Sequence, residues 1–473
     1  MFEFLERKQP GLSKEEIAKI LKASPEALAT FEKKYETKIL SATPDNVFEL
    51  NAKQVAKTHE GIPIGNPDAL RELISRIVNE LLEQAAIWKY DGTEGKYITG
   101  ISQRDEAPVT MAEISKFPPE LRPQLTGHLL KKDTSQEAYP LLFWFLKQIQ
   151  DNPDSQKAKE CYHMFRQGLD VQDLDPYIYE MLGMNQNSMG HWLPQIADAV
   201  KATRFFKIPK TTILKVPITM LQLTRLDYES LTRTTLDIVD KFCQKAFELK
   251  TDKEYFIKTG TYSSKFDFRN AKVSGENEVR ELGEYLLFIQ FQASCMAHYD
   301  LSGRKSPCIY GVSTTNEWVV RDFIPDVENN PCIYKGMPLH TEYRAFVDFD
   351  TKELLGIHPY WDPDVMKKRF GHESDADSPH NIHDYCIYLA HEETLMSRYE
   401  ENKELVCEQI REMLPFVSGL SGQWSIDIMQ NGKDFYLIDM ALAQNSAFYE
   451  CVPIGQKRPT KENWLPNLVG KET

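Results

Sequence analysis

The chain has 473 residues, of which 41% are hydrophobic and 27% are charged, values typical of a folded globular protein and too apolar for a disordered one. Its 56 lysine and arginine residues are outnumbered by 70 aspartate and glutamate residues, and the formal net charge of −14 argues against sequence-independent binding to nucleic acid or to an anionic membrane. No apolar run approaches the roughly 20 residues that span a bilayer. No two of the eight cysteines have a C-x-x-C spacing, so we expect neither a zinc ribbon nor a disulfide framework.

The first part of the chain is predicted to be mainly helical. Ser13 to Glu16 form a capping box and Ser24-Pro25 is a second helix start, which together predict a helical hairpin. Because the chain is acidic, we interpret this hairpin as a packing or partner-binding module rather than a DNA reader. A longer helix is predicted from Ala69 to Trp88, followed by a strand at Lys96-Tyr97-Ile98. Glu3 and Glu6 stand where a secretory signal would be positive, so we expect a cytoplasmic location.

The predicted secondary structure changes near residue 205. β-rich runs such as Thr211–Val216 then alternate with helical patterns such as Tyr228–Leu249, an order that predicts an α+β fold. We therefore divide the chain into four parts. Residues 1–135 form a mainly helical N-terminal region, 136–205 a second helical segment, 206–455 an α+β domain and 456–473 a tail.

A lysine ends one of the predicted strands. The apolar run Tyr255–Lys258 leads directly into a small polar loop, Thr259–Lys265. Such a loop can direct an ammonium group and several backbone N–H groups at one polyphosphate. The P-loop pattern is absent from the sequence. A solvated surface loop would give the same pattern, so the functional interpretation needs support elsewhere.

That support comes from a hairpin between Trp424 and Met440, where Asn431-Gly432 separates two alternating apolar runs. A two-residue loop would put Asp427 and Asp439 on opposite faces and bury Asp439 among apolar side chains. We therefore predict a three-residue loop with a G1 bulge at Gly432, which brings both aspartates to one face. The apolar face would then consist of Trp424, Ile426, Ile428, Tyr436, Ile438 and Met440. Two neighbouring carboxylates with no cysteine or histidine favour Mg²⁺ between them.

An alternative for this hairpin is purely structural: Asp439 would cap the strand end and an arginine would pair with Asp427. Separately, the predicted strand His340–Val347 puts Glu342, Arg344 and Phe346 on one face. Arg344 is either a structural ion-pair partner or a guanidinium held for phosphate or acyl-phosphate oxygens. The loop Gly371–His383, which follows this strand, is predicted to be a solvated insertion that can act as a lid.

In chain order, these elements resemble the ATP-grasp superfamily. The shared features are a lysine-ended strand with a flexible loop, a hinge strand (WVVRDFIP), an E-x-R strand (EYRAFV) and two acidic strands (WSIDIM and LIDMA). The last elements are similar to a divergent bacterial and phage clade and to the eukaryotic cell-division-cycle family that assists assembly of a translation initiation factor. The resemblance spans residues 180–452 and implies an ATP-grasp fold in 206–455, with two α+β subdomains gripping ATP.

The resemblance also implies ATP and Mg²⁺ as cofactors and assigns roles to residues. Lys258 and Arg344 would be catalytic, with Lys258 also on the phosphates. The residues that would bind the nucleotide, Lys258 included, are Gly260, Ser263, Ser264, Lys265, Arg321, Asp322, Phe323, Ile324 and Asp326. Asp427 and Asp439 would hold Mg²⁺, with Asn445 as a candidate third ligand. Two departures are visible: Arg321 stands where a glutamate is usual, and Asp439-Met440-Ala441 replaces the usual E-x-N.

The function that this resemblance implies is an ATP-dependent ligase, which activates a carboxylate as an acyl phosphate and joins it to an amine. Its partners would be small-molecule or peptide carboxylates and amines. The alternative is an ATP-binding assembly or adaptor protein in which nucleotide sets the conformation and the helical N-terminal region contacts a protein partner. A third possibility is a phosphotransferase without ligation. We expect neither nucleic acid nor a membrane as a partner.

Overall fold

The computed structural model describes residues 67–99, 107–119, 121–122, 125, 179, 182–183, 185–221, 233–303, 315–370 and 382–458. The predicted helical hairpin at residues 13–31, the predicted helices between residues 141 and 168, and residues 371–381 of the predicted lid loop lie outside these ranges. In the described ranges, none of the helices has the length and apolar character needed to cross a bilayer.

The described secondary structure alternates between helices and strands. The helices are α1 (Pro67–Glu83), α2 (Met111–Ile114), α3 (Met189–Thr203), α4 (Ile218–Leu221), α5 (Arg233–Ala246), α6 (Glu276–Arg280), α7 (Leu282–Gly303), α8 (Pro363–Phe370) and α9 (Ile382–Met413). The strands are β1 (Ala86–Tyr90), β2 (Gly95–Thr99), β3 (Phe206–Lys207), β4 (Thr211–Lys215), β5 (Tyr255–Thr259), β6 (Lys272–Val273), β7 (Glu317–Asp322), β8 (Cys332–Ile333), β9 (Met337–Pro338), β10 (Glu342–Asp348), β11 (Glu353–Pro359), β12 (Gln423–Asn431) and β13 (Asp434–Leu442). The α+β prediction is therefore confirmed.

The first sheet, which we call the lysine sheet because it carries Lys258, has six strands in the order β2-β1-β4-β7-β5-β6. Every neighbouring pair in it is antiparallel. Helix α5 packs against both α1 and α7, and α7 also contacts β5. Helix α1 buries apolar residues at helical spacing, from Leu70 and Leu73 to Leu81 and Leu82.

The predicted helix from Ala69 to Trp88 is shorter than expected. It ends at Glu83, and the residues after it form β1. Strand β1 pairs with β2 and β4, so residues 86–90 and 95–99 lie in the lysine sheet. The physical reason is that β1 pairs with strands on both sides and that Ile87 and Trp88 are both buried, which overrides the local helical periodicity.

The second sheet, which we call the aspartate sheet because it carries Asp427 and Asp439, has five strands in the order β11-β10-β12-β13-β3. Strand β3 is parallel to β13, and the other pairs are antiparallel. Helix α3 joins the two sheets through a single apolar core. Its Trp192 and Ile196 belong to one buried cluster with Val319 of the lysine sheet and with Ile426 and Tyr343 of the aspartate sheet. This shared core fixes how the two sheets face each other.

Candidate functional site

A cavity lies between the two sheets and encloses roughly 960 Å³, including open solvent at its mouth. The structure brings nine of the predicted site residues to its lining: Lys258, Ser263, Lys265, Arg321, Asp322, Phe323, Ile324, Asp427 and Asp439. The predicted residues Gly260, Ser264, Asp326, Arg344 and Asn445 do not line it. Phe256, Met429 and Ile438 add apolar surface to the same cavity.

The two sheets meet at an ion pair inside the cavity. Lys258 Nζ lies 3.1 and 3.2 Å from the two carboxylate oxygens of Asp439. The lysine side chain is 3% exposed, whereas the Asp439 side chain is 42% exposed. A buried ammonium is costly without a charged partner, so this pair stabilises Lys258 while leaving one side of Asp439 open to the cavity.

A second ion pair holds the other aspartate. Arg344 donates two hydrogen bonds to Asp427, at 2.7 and 2.6 Å, in a bidentate arrangement across β10 and β12. Burial opposes the charge on the guanidinium, but the Asp427 carboxylate outweighs it and raises the pKa of Arg344. The guanidinium also lies 4.7 Å from the ring centroid of Tyr360. Arg344 therefore sits behind the cavity wall, and its nearest anion belongs to the protein.

The two aspartates are direct partners across β12 and β13, but the bulge that aligns them is not at the hairpin tip. The loop has two residues, and the ladder shifts between Asp427 and Ile428, where Ile438 is the extra residue. The prediction of a three-residue loop was therefore wrong, although the predicted pairing of the carboxylates is present. Gly432 is the first loop residue and has a φ of 64°. A type II′ turn requires a positive φ at this position.

The displaced bulge also changes which residues face the core. Phe435 and Leu437 are buried in the core with Ile426 and Ile428, whereas Ile438 lines the cavity. The predicted core face of β13 contains Tyr436 and Ile438 instead, so that part of the prediction is wrong. A bulge places two successive side chains on nearly the same side of a strand, so Ile438 and Asp439 both reach the cavity.

Arg321 has a structural role that the resemblance did not anticipate. Its guanidinium donates to Ile438 O at 2.6 Å, to Leu437 O at 3.4 Å and to Thr211 Oγ1 at 3.2 Å. The side chain is buried, and burial lowers its pKa to about 10 while Asp439 opposes that shift. Arg321 thus connects β7 of the lysine sheet to the bulge of the aspartate sheet, with much of its donor capacity already used by the protein.

At the hinge after β7, two backbone N–H groups already have hydrogen-bond partners in the protein. Asp322 N donates to Lys210 O and Phe323 N donates to Glu254 O, at 2.9 and 3.0 Å. A planar base lying against this segment would therefore use the side chains of Phe323 and Ile324 and the backbone beyond them. Asp326 accepts hydrogen bonds from the backbone N–H groups of Glu328 and Asn330, so its carboxylate shapes this turn.

The loop after β5 has a mixed character. Lys265 lines the cavity, donates to the hydroxyl of Tyr360, and lies 4.6 Å from the centroid of that ring. Ser263 also lines the cavity, whereas Ser264 is buried beside it. Gly260 lies against Glu317 and α3 instead of the cavity. The described loop therefore brings Lys265 and Ser263 toward any ligand, and Gly260 and Ser264 hold its shape.

The carboxylate oxygens of Asp427 and Asp439 are hard donors that suit Mg²⁺. Asp439 Oδ1 accepts hydrogen bonds from Lys258 and from Met440 N, whereas Oδ2 accepts one from Lys258 and keeps a second lone pair for an ion. This donor set fits a magnesium ion best at Asp439, because that side chain is the more open of the two. Asn445 does not line the cavity, and its Oδ1 accepts a hydrogen bond from Asn187 Nδ2 at 3.3 Å. Its assignment as a third ligand stays a prediction.

Two acidic residues beside the site were not assigned a role from sequence. Glu342 lines the cavity, and burial raises its pKa to about 7, with the nearby Asp427 charge acting in the same direction. Glu317 accepts hydrogen bonds from Ser188 and from the backbone of Gly190. The E-x-R spacing identified Glu342 as a neighbour of Arg344, but no sequence signal pointed to the partners of Glu317.

Comparisons with known proteins give a distant structural likeness. The sequence matches no protein-family profile and no curated protein. C-terminally truncated Cdc123 from Schizosaccharomyces pombe is 14% identical, with 59% of this chain and 96% of that chain covered and a TM-score of 0.33. A second structure, of Cdc123 from Schizosaccharomyces pombe, is 13% identical, with 54% and 83% covered and a TM-score of 0.31. Values this low identify no shared ligand or activity, and neither structure comes from the bacterial and phage clade.

Proposed function

We propose that the cavity between the two sheets binds ATP together with Mg²⁺. The observation that carries this proposal is the Lys258–Asp439 pair, in which a buried ammonium of one sheet faces an open carboxylate of the other at 3.1 Å. Lys265 and Ser263 line the same cavity. Two ammonium groups in a sheltered site offer strong, preorganised electrostatic attraction to a polyphosphate.

The cavity also has surface suited to a purine. Phe323 and Ile324 come from the lysine sheet side, and Met429 and Ile438 come from the aspartate sheet side. A planar base between these apolar side chains would bury both of its faces, which is how most ligand pockets gain affinity. We therefore place the base at this apolar wall and the phosphates toward Lys258 and Lys265.

Asp439, with Asp427 beside it, would hold the magnesium ion. When bound, the ion would neutralise phosphate charge and orient the triphosphate. Lys258 would then exchange part of its contact with Asp439 for a phosphate oxygen, while Arg344 would keep Asp427 in place through its bidentate contact.

We propose that the consequence of binding is conformational, as in an ATP-dependent assembly or adaptor protein. Direct contacts at the cavity join the two sheets, among them Lys258 to Asp439 and Arg321 to Ile438. A nucleotide that enters between Lys258 and Asp439 replaces a direct sheet-to-sheet contact with one through the ligand. Its presence would therefore change how the sheets are held, and a protein partner that contacts both sheets could detect it.

A carboxylate–amine ligase is the second candidate, because Glu342 and Arg344 share one face of β10 next to Asp427. A carboxyl group on the cavity wall could accept a proton from an attacking amine, and Arg344 could stabilise a transferring phosphoryl group after a change of partner. Substrates of this class would be small-molecule or peptide carboxylates and amines.

Calorimetric titration of Mg-ATP tests the binding site. Lys258→Gln should weaken binding by about 30-fold, the loss expected for a charge-assisted contact worth about 2 kcal/mol. The matched control is Lys207→Gln, because Lys207 also pairs with an aspartate of β13, Asp434, but is 52% exposed on a strand outside the cavity. Equal affinity for wild type and Lys258→Gln would refute the proposal.

A matched pair of aspartate variants tests the metal assignment. Asp439→Asn should reduce the dependence of ATP affinity on Mg²⁺, whereas Asp434→Asn should leave it unchanged. A screen of amino acids and peptides for ADP release then separates the two functions. Tight ATP binding without turnover supports the adaptor, and ADP release that needs both an added carboxylate and an added amine supports the ligase.

A further inference from the structure

Glu317 joins three separate parts of the chain just outside the cavity. One of its carboxylate oxygens, Oε2, accepts hydrogen bonds from Ser188 Oγ at 2.5 Å and from Gly190 N at 2.9 Å. Ser188 and Gly190 are the N-cap and the second residue of α3. The carboxylate therefore sits at the N-terminus of a long helix, where backbone N–H groups favour negative charge.

The backbone around this carboxylate is equally connected. Gly260 N donates to Glu317 O at 3.0 Å, and Met189 N donates to Gly260 O at 2.8 Å. Gly260 is thus hydrogen-bonded on one side to β7 and on the other to α3. Because Gly260 follows Lys258 by two residues, these bonds fix the chain immediately after the lysine that lines the cavity.

The two glycines in this arrangement leave room for the carboxylate. A Cβ atom at Gly190 would lie 2.1 Å from Glu317 Oε1. A Cβ atom at Gly260 would lie 2.3 Å from Ser188 Oγ and 2.7 Å from Glu317 Oε2. The close fit requires glycine on both sides, so the position of the carboxylate and the path of the loop depend on each other.

We infer that Glu317 is a positioning residue for the phosphate-binding loop, holding Gly260 against the N-terminus of α3 so that Lys258 and the loop after it face the cavity. This inference rests on the proposed nucleotide site. Glu317 itself does not line the cavity and would not touch the ligand. Its effect should therefore fall on contacts with the phosphates, and contacts with the base and ribose should be unaffected.

Two variants of Glu317 separate the effect of side-chain length from the effect of charge. Glu317→Asp keeps the negative charge but shortens the side chain by one methylene, so it cannot span to both Ser188 and Gly190. Glu317→Gln keeps the length and one carbonyl oxygen that can accept both hydrogen bonds, but it removes the charge. If the charge acted on the phosphates directly, removing it would strengthen ATP binding and Glu317→Asp would have no effect.

The test measures affinities for Mg-ATP and for adenosine, which has the base and ribose but no phosphate, by calorimetry on the full chain. For Glu317→Asp we expect about tenfold weaker binding of ATP and a change within about twofold for adenosine. For Glu317→Gln we expect both affinities to stay within about twofold of wild type. The matched control is Asp348→Asn, which alters another buried carboxylate that accepts backbone N–H groups, six residues along β10 from Glu342. It should lower the thermal midpoint without changing the ratio of ATP to adenosine affinity.

The outcomes are distinguishable. If wild type binds no ATP, the proposed function itself fails. If wild type binds ATP and Glu317→Asp binds it equally well, or loses ATP and adenosine affinity in the same proportion, the positioning role is overturned. Tighter ATP binding by Glu317→Gln would also overturn it, because it would show that the charge of Glu317 acts on the phosphates.

Discussion

Arg321 Nη1 donates a hydrogen bond to the carbonyl oxygen of Ile438 at 2.6 Å, and this contact ties the centre of one sheet to the bulge of the other. The bulge is the reason that Asp439 lies beside Asp427 and opposite Lys258. A bulge leaves backbone groups without ladder partners, and a buried guanidinium is well suited to satisfy them. The position of the candidate metal ligand therefore depends on an arginine that need not touch the metal.

Arg321→Lys should accordingly destabilise the protein and disturb the site. An ammonium group cannot reach Thr211 Oγ1 and both bulge carbonyls at once, so at least one buried acceptor loses its partner. We expect the free energy of unfolding to fall by about 2 kcal/mol, measured by urea denaturation. Mg-ATP affinity should fall as well, because Asp439 is no longer held.

Arg458→Lys provides the comparison for that variant. Arg458 donates to buried Asp348, but its own side chain is 57% exposed, so the change should cost less than about 1 kcal/mol and leave nucleotide binding intact. Equal losses of stability for the two arginine variants would contradict the role given to Arg321.

The hairpin shows how far sequence reasoning reaches. Alternation along β12 correctly placed Trp424, Ile426 and Ile428 in the core, and the requirement that no carboxylate be buried among apolar residues correctly paired Asp427 with Asp439. Both constraints are satisfied by a bulge at any point between the loop and the aspartates. The choice of Ile438 depends on Arg321, which comes from a strand more than 100 residues earlier in the sequence. Local pattern cannot supply such a contact.

The same limit applies to the start of the lysine sheet and to Glu317. The periodicity of α1 continues into Ile87 and Trp88, and only pairing with β4 shows that these residues form a strand. Gly190 and Gly260 are visible in the sequence, but the carboxylate that requires them is on β7. By contrast, the Asn-Gly turn is a strong local signal and led to the two aspartates, whereas Lys258 and Lys265 were assigned only when the hairpin and the resemblance supported the loop pattern.

The fit between Gly190 and Glu317 predicts an unusual double-mutant cycle. Gly190→Ala should destabilise the wild type by about 1–3 kcal/mol, since its Cβ atom would lie 2.1 Å from the carboxylate. In a Glu317→Ala background the same change should be neutral or stabilising by up to about 1 kcal/mol, because alanine favours a helix over glycine. Urea denaturation of the four proteins measures the coupling. An equal cost in both backgrounds would show that another contact excludes alanine.

Glu342 should make stability depend on pH. Burial raises the pKa of this group to about 7 from an ordinary value near 4.5. Because the folded protein holds the proton more tightly than the unfolded chain, this contribution to stability is fully present below pH 4.5 and is lost as pH rises through 7. The loss is at most about 3 kcal/mol, and water in the cavity will reduce it. Urea denaturation between pH 4.5 and 8, with EDTA present, measures it.

The control for this pH dependence is Glu342→Gln. Glutamine has the shape of the protonated acid and does not titrate, so the variant should show a flatter dependence over the same range and greater stability than wild type near pH 8. If wild type and variant lose stability with pH in parallel, another group is responsible for the loss.

Deleting Ile438 should remove the bulge and keep the strand pairing on either side of it. The pairs Ile428–Leu437 and Asp427–Asp439 flank the extra residue, so its removal joins them into a continuous ladder with Asp439 still on the cavity face. The protein should fold but lose an apolar wall of the cavity and the carbonyl that Arg321 binds at 2.6 Å. We expect about tenfold weaker Mg-ATP binding and a loss of about 1–2 kcal/mol of stability. Ile438→Ala keeps the carbonyl that Arg321 binds. It should therefore weaken Mg-ATP binding but cost less stability than the deletion. A deletion variant with wild-type affinity would show that the bulge does not form part of the nucleotide site.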